Sequence, residues 1–344
     1  MSLNLRPGPL VRRIVATMVV VATTVSIGAV ASSASPSTHS ANRTVDYVQQ
    51  LQSALTAAAT QSTLPVNVTP PTSAWSQLWS DYGLPSVQTS CWDVAKTLDT
   101  IPKCVMGSHN ATRTIVLAGD SQAFMWTPAF DAWGKANHVK VVVLTKAACQ
   151  PWPDAHQSYY DGSTFPQCGV FQRAVVAKIN SLHPAFVVVA GLAPQWPTGY
   201  CASCTSSQRL GMVSADVKAF ISSIRASRAH VAVIEASPDF YTLASTHPLT
   251  DPLCLSAHPT SVQTCNSTPL SQLQNGLMKL ALTSSALPKG VVVVPLDKLL
   301  CSAVSCPMVV GSRLVLSDND HVSTQWAQYV VPAFTQIVNA LHIN

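Results

Sequence analysis

The sequence predicts an α/β domain: a three-layer α/β/α architecture around a doubly wound, parallel, five-stranded sheet. Three observations lead there. Five short Val/Ile-rich runs recur along the chain after residue 112. Segments with apolar residues at three-to-four-residue spacing separate them. The runs are continuously apolar rather than alternating, which marks strands covered on both faces and therefore a parallel sheet. A strand–helix–strand series of this kind winds into one sheet with helices on either side.

The elements follow in order. Residues 32–43 are rich in Ser, Ala, Thr and Pro and read as a flexible leader. From Asp46 to Thr60, Val48, Leu51, Leu55 and Ala58 fall on one helical face, predicting an amphipathic helix. Residues 61–73 are a Pro-punctuated connector, and the stretch from Cys91 to Cys104 reads as a clipped loop before the main domain. The five strands are expected at 114–118, 139–144, 186–190, 231–235 and 291–295. Helices are expected between them at about 123–137, 172–182, 214–228 and 270–282. A closing helix is expected at about 323–341. The organisation is thus residues 1–31 as an export segment, 32–75 as a leader carrying one helix, and 76–344 as the main domain.

Composition narrows the chemistry. The 344 residues are 47% hydrophobic and only 10% charged, with mean hydropathy +0.25. That excludes a disordered protein and a coiled coil. Glu235 is the sole glutamate, so mechanisms built on paired glutamates are nearly excluded. The first thirty-one residues carry Arg6, Arg12 and Arg13, with no acid. Taking those three from the twenty basic residues leaves seventeen against fifteen acidic ones, a net of +2. Neither a basic face nor a nucleic-acid-binding motif is evident.

Residues 14–30 are uncharged and end at Ala29-Val30-Ala31, the small-x-small form of a cleavage site. The segment reads as a signal peptide, with an uncleaved membrane anchor as the alternative. Either way the remainder lies outside the cytoplasm, and the only contact with a membrane is through this segment. Ten cysteines follow it and fall into five local pairs. In an oxidising compartment nearest-neighbour disulfides are expected, each worth the lower end of roughly 2–4 kcal/mol. Cys201-Ala-Ser-Cys204 is only half a zinc site and lacks the strand-to-helix setting of a redox motif. No cofactor or metal is called for.

In a doubly wound sheet, ligands bind beyond the carboxyl ends of the strands. The first core strand runs into Gly119-Asp120-Ser121-Gln122-Ala123, and a helix begins at once. A serine there stands at a helix N-terminus, where free N–H groups and the dipole favour an oxyanion. Helix capping by Asp120 or Ser121 is the plainer explanation of those residues taken alone. Near the C-terminus stands Ser317-Asp318-Asn319-Asp320-His321-Val322-Ser323. A serine nucleophile needs a base, and the base needs a partner that sets its tautomer. Asp318 and His321, three apart on one loop, can supply both. The candidate catalytic set is Ser121, His321 and Asp318.

The stretches from Arg113 to Ala123, from Leu144 to Cys149, from Val187 to Gly191, from Cys301 to Cys306, and the Asp318–His321 box resemble, in this order, the SGNH (GDSL-like) hydrolase superfamily. More closely they resemble the extracytoplasmic SGNH domains found behind membrane acyltransferases that O-acylate cell-surface glycans. The resemblance implies the flavodoxin-like SGNH fold and a serine esterase or acyltransferase. It also implies an oxyanion hole lined by the backbone N–H groups of Ser121 and Gly191, and a disulfide joining Cys149 to Cys168. Gln122, Trp196 and Asp120 become candidate substrate-binding residues. Gln122 stands where many relatives carry His, and the Asn that completes the oxyanion hole elsewhere has no clear counterpart after Gly191.

The expected substrate is an acyl ester on a cell-envelope carbohydrate, with a membrane acyltransferase as possible partner. The alternatives are a catalytically weak glycan-binding module on the same fold and a plain lipase or thioesterase. Trp126, Trp152, Trp196 and Tyr200 follow strand ends and could stack on sugars, although core or rim packing is the plainer expectation.

Overall fold

The structure is a computed structural model that describes residues 45–83, 85, 91–93, 104–152, 163–191, 205–234, 252–267, 290–318 and 320–343. The signal segment, the leader before residue 45 and the expected 270–282 helix lie outside the described residues.

The five expected strands are all present. They are β3 (Arg113–Gly119), β4 (Val139–Lys146), β5 (Phe186–Ala190), β6 (His230–Ile234) and β7 (Val291–Val294). They pair in parallel in the order β4-β3-β5-β6-β7. The chain leaves β3 for β4 on one side and returns to β5 on the other. The switch point therefore lies at the carboxyl end of β3, where an α/β sheet opens its ligand crevice.

Two further strands make the sheet seven-stranded, and they correct the expected clipped loop. β1 (Trp92–Asp93) pairs in parallel with the end of β4, and β2 (Cys104–Gly107) runs antiparallel to it. The Cys91–Cys104 disulfide joins them. Neither strand carries the β-branched run that marks the core strands, because each is short and lies at the sheet's edge.

Side chains of the core strands alternate between two apolar layers, as the two-residue period of a strand requires. Ile115, Leu117, Val141, Val143 and Val188 face one layer. Val116, Ala118, Val142, Val187 and Val189 face the other. The second layer is closed by α4 (Pro166–Leu182) and α5 (Ser206–Ser223), through Phe171, Val175, Ile179, Val217 and Phe220. The first is closed by α1 (Tyr47–Ala58), α3 (Thr127–Ala136), α7 (Thr324–Tyr329) and α8 (Val331–Ala340).

Two expected helices are broken. The segment after β3 forms α2 (Ser121–Phe124) and then α3, with Pro128 in the first turn of α3. The C-terminal segment divides into α7 and α8, with Pro332 in the first turn of α8. Proline has no N–H to continue a helix but suits a first turn. The remaining helix is the short α6 (Pro252–Ala257). Its disulfide, Cys254–Cys265, like Cys149–Cys168 and Cys301–Cys306, follows nearest-neighbour pairing. Cys201 and Cys204 lie outside the described residues.

Helix α1 is packed onto the domain. Leu51, Leu55 and Ala58 are buried in the first layer. The Gln336 side chain accepts from the N–H groups of Tyr47 and Val48 at 2.9 and 3.2 Å and donates to Asp46 at 3.2 Å. Among the described residues no helix is long and apolar enough to cross a membrane.

Candidate active site

The loop carrying Ser121 begins where β3 ends. Gly119 pairs with Ala190, and a Cβ at Gly119 would collide with the Ala190 carbonyl. Only glycine allows this approach. Asp120 then caps α2, its Oδ1 accepting from Gln122 N–H at 2.9 Å. Ser121 opens the helix and is 9% exposed. Because Ala190 is level with Gly119, Gly191 follows on the adjacent strand beside the Asp120–Ser121 turn. A Cβ on Gly191 would lie 2.8 Å from Trp152 Cη2 and 3.2 Å from Pro151 Cδ, so the backbone there is pressed against a buried indole.

The loop carrying Asp318 and His321 is a closed turn. Leu316 bridges Val322, and Ser317 N–H donates to His321 O at 2.9 Å. One oxygen of Asp318 accepts from the N–H groups of Asp320 and His321, at 3.0 and 2.8 Å. Its other oxygen lies 2.7 Å from His321 Nδ1. A single carboxylate thus shapes the turn and orients the ring. Ser323 pins the exit: its hydroxyl donates to Leu314 O at 2.7 Å and accepts from Trp326 N–H at 3.1 Å, capping α7.

The two loops, almost two hundred residues apart in sequence, touch. Gln122 Nε2 donates to Asp320 O at 3.0 Å and lies 3.4 Å from Asp320 Oδ2. Val322 N–H points at Met125 Sδ at 3.4 Å. His321 Nε2 is buried and has no hydrogen-bond partner, so no hydrogen bond from Ser121 reaches it in this structure. Such contacts often tighten only when substrate is bound.

Two participants carried no sequence signal. Asp320 Oδ1 stands 3.2 Å from His321 Nδ1, giving the imidazole a second carboxylate. Tyr82 stacks on the imidazole, with ring centroids 4.0 Å apart and planes 9° from parallel. The segment carrying Tyr82 is held to the start of α7, where Thr324 donates through N–H to Asp81 O and through its hydroxyl to Gly83 O. Asp320 was visible as a third acid in the box, but a spacing argument assigns it no task. Tyr82 lies in a segment without periodicity, and only the packing reveals it.

The carboxylates govern the ring's charge. Burial of His321 opposes protonation, but Asp320 and Asp318, with Asp120 beyond them, outweigh it and push the imidazole from 6.5 up to about 9. Burial drives the Asp320 carboxyl from 3.8 up to about 7, helped by Asp318 and Asp120 and opposed by the imidazole. The ligand atoms of Asp318, Asp320 and His321 lie within 4.8 Å of one another. Both carboxylates already meet the same ring nitrogen, and we read the group as an ion-pair cluster.

The other sequence candidates fall as follows. Asp120 and Gln122 are buried and turned into the protein. Trp126 and Trp152 are each fully packed, Trp126 stacking on Phe334, so these two belong to the core. Trp196 and Tyr200 lie outside the described residues. A cavity of about 950 Å³ opens at the opposite, amino-terminal edge of the sheet, lined by Arg113, His183, Arg228, His230 and His342. His183 and Arg228 there follow the C-terminal ends of helical segments, and the cavity is remote from Ser121 in the fold.

A doubly wound sheet with Gly-Asp-Ser closing its first core strand and Asp-x-x-His before its last helices defines an SGNH-type α/β domain. The profile of the SGNH domain (fused to AT3 domains) matches residues 90–336, and the chain belongs to this family, within a superfamily of acyl-ester-acting enzymes. Among solved structures it is similar to the periplasmic domain of a lipopolysaccharide acetyltransferase from Salmonella ser. Paratyphi A. That match has TM-score 0.49 and 13% identity over 78% of this chain and 99% of the other. It is also similar to a putative acylhydrolase from Bacteroides fragilis, with TM-score 0.38 and 11% identity over 69% and 90% of the two chains. A GDSL-like lipase from Bacteroides thetaiotaomicron gives TM-score 0.35 and 13% identity over 66% and 89%. No curated protein matches the chain. The four disulfides among the described residues fit an oxidising, extracytoplasmic compartment.

Proposed function

We propose that this protein is an exported serine esterase or acyltransferase acting on O-acyl groups, acetyl above all, of a cell-envelope glycan. Ser121 is the nucleophile, His321 the base and Asp318 the orienting carboxylate. The Ser121 hydroxyl gives its proton to His321 Nε2 while its oxygen attacks the ester carbonyl. The N–H groups of Ser121 and Gly191 receive the oxyanion. Collapse expels the sugar oxygen, which takes the proton back from His321, and leaves an acyl-serine. Water or another sugar hydroxyl then repeats the steps in reverse. A membrane acyltransferase is the partner that would supply acyl groups, in keeping with the fusion habit of the family.

The observation that carries this reading is the 2.7 Å contact of Asp318 with His321 Nδ1. It sits on a loop that Gln122, the residue after Ser121, ties to the loop carrying Ser121. With Nδ1 engaged, Nε2 is the nitrogen left for a serine hydroxyl. The test is turnover of p-nitrophenyl acetate by wild type and Ser121→Ala. Turnover that Ser121→Ala abolishes is expected, and equal rates would remove the reading.

A second reading is a glycan-binding module with weak or no turnover. It is favoured by the imidazole's hold on its proton up to about 9 and by the missing partner on Nε2. It requires glycan retention that survives Ser121→Ala, with no ester cleavage by wild type at any pH.

A further inference from the structure

Asp318 alone satisfies what a base needs from its partner: one acceptor on Nδ1 at 2.7 Å and a turn that fixes the ring. A second buried carboxylate at the same nitrogen is therefore surplus to orientation, and its burial is costly. Asp320 is held there by Gln122. The amide of Gln122 donates to the Asp320 backbone oxygen at 3.0 Å and reaches its Oδ2 at 3.4 Å, while Oδ1 faces the imidazole at 3.2 Å. The backbone N–H of Gln122 is bound in turn to Asp120. A continuous chain of polar contacts thus runs from the residues flanking Ser121, through Gln122 and Asp320, to the ring of His321. Every member is 8% exposed or less apart from the imidazole itself, whose side chain is 13% exposed.

We propose that Gln122 and Asp320 are positioning residues of this site: Gln122 is the strut that sets the nucleophile loop against the base loop, and through it Asp320 is kept as a second acceptor that governs how tightly His321 keeps its proton. This rests on the reading of Ser121 and His321 given above. The groups facing the imidazole are Asp318 and Asp320 from its own loop, Asp120 from the end of β3, and the stacked ring of Tyr82. One N–H cannot serve two carboxylates fully, so an ionised Asp320 stabilises the imidazolium beyond what Asp318 does. The upward displacement of His321 to about 9, with Asp320 the foremost cause raising it, agrees with this arrangement. As an amide, Gln122 keeps the same charge at every pH.

The experiment is a histidine NMR titration of the whole exported chain, with the His321 resonance assigned by its loss in His321→Gln. It is run beside the pH profile of kcat/KM on p-nitrophenyl acetate. Asp320→Asn is expected to lower the His321 midpoint by about one to two units, the effect of removing one nearby charge. The ascending, acid-side limb of kcat/KM should move with it. Gln122→Met, of similar volume but with no donor, is expected to lower kcat with little change in KM. Combined with Asp320→Asn it should cost less than the two effects multiplied, because both act along one chain of contacts. An unmoved His321 midpoint in a folded Asp320→Asn protein overturns the proposal, as does a uniform loss of activity at every pH. Because the NMR midpoint is read without turnover, a wild type that cleaves no ester counts against the Ser121 reading and still leaves the Asp320 assignment decided by the spectrum.

Discussion

Replacing Asp318 separates its two tasks. Its carboxylate makes three contacts: two with backbone N–H groups of its own loop and one with His321 Nδ1. Asp318→Asn keeps an oxygen to accept from the two N–H groups, so the loop survives and stability changes little. It presents an NH₂ at the shorter, 2.7 Å contact, however, which favours a ring that accepts there and carries its proton on Nε2, against the longer pull of Asp320 at 3.2 Å. A base whose Nε2 is already protonated cannot take the serine proton. The comparable change in the well-studied serine protease triad lowers kcat by about 10⁴, and a loss of that order is expected here. Asp318→Ala removes the loop contacts as well. Two partly buried N–H groups then lose their acceptor, at about 1–3 kcal/mol each. For a chain of this size each kcal/mol lowers Tm by about 2–4 °C. Two measurements decide the matter: kcat on p-nitrophenyl acetate and Tm by calorimetry. Asp318→Asn should be inactive with near-native Tm, and Asp318→Ala inactive with Tm lowered by several degrees. An Asp318→Asn protein retaining activity within about tenfold of wild type, far from the expected 10⁴, would refute the tautomer argument and pass the orienting role to Asp320.

Two further outcomes follow from the same geometry. With the imidazole held up to about 9, kcat/KM should rise about tenfold per pH unit through neutrality and level off near pH 9; a plateau already reached at pH 7 contradicts the ion-pair cluster. The same elevation, from 6.5 to about 9, contributes stability that is complete below 6.5 and is lost as pH rises through 9. Wild type should therefore lose more Tm than His321→Gln between pH 7 and pH 10, read by thermal scans. Leu55, fully buried on α1, should cost about 2–5 kcal/mol when changed to Ala, read as a lowered urea midpoint for the whole domain. A separate early transition would mean that α1 melts alone.

Much of the fold was legible because its cause is local. A run such as Val187-Val188-Val189 has little choice but a doubly covered strand, and five such runs separated by helical spacing admit few topologies. β1 and β2 escaped because an edge strand of two or four residues gains its order from the neighbour it pairs with. The helix breaks at Pro128 and Pro332 lay in plain sight, yet apolar spacing runs across both. At the site, Ser121, Asp318 and His321 stood out because each occurs in a setting that chemistry requires. Gln122, next to Ser121 in the sequence, reads there as a substrate contact. Its burial against Asp320 depends on where a loop two hundred residues later comes to rest.

The amino-acid sequence by itself determined the layered α/β architecture, the disulfide character, and the residue types able to act on an acyl ester. These follow from hydrophobic period, from composition and from reactivity, all properties of a residue and its near neighbours. Tertiary structure alone decided that Asp320 shares the imidazole with Asp318, that Tyr82 lies flat on the ring, and that Gln122 joins the two loops. Two of those contacts, Gln122 with Asp320 and Tyr82 with His321, link positions about two hundred residues or more apart, and the charge of a histidine depends on the distances to whatever folding brings around it.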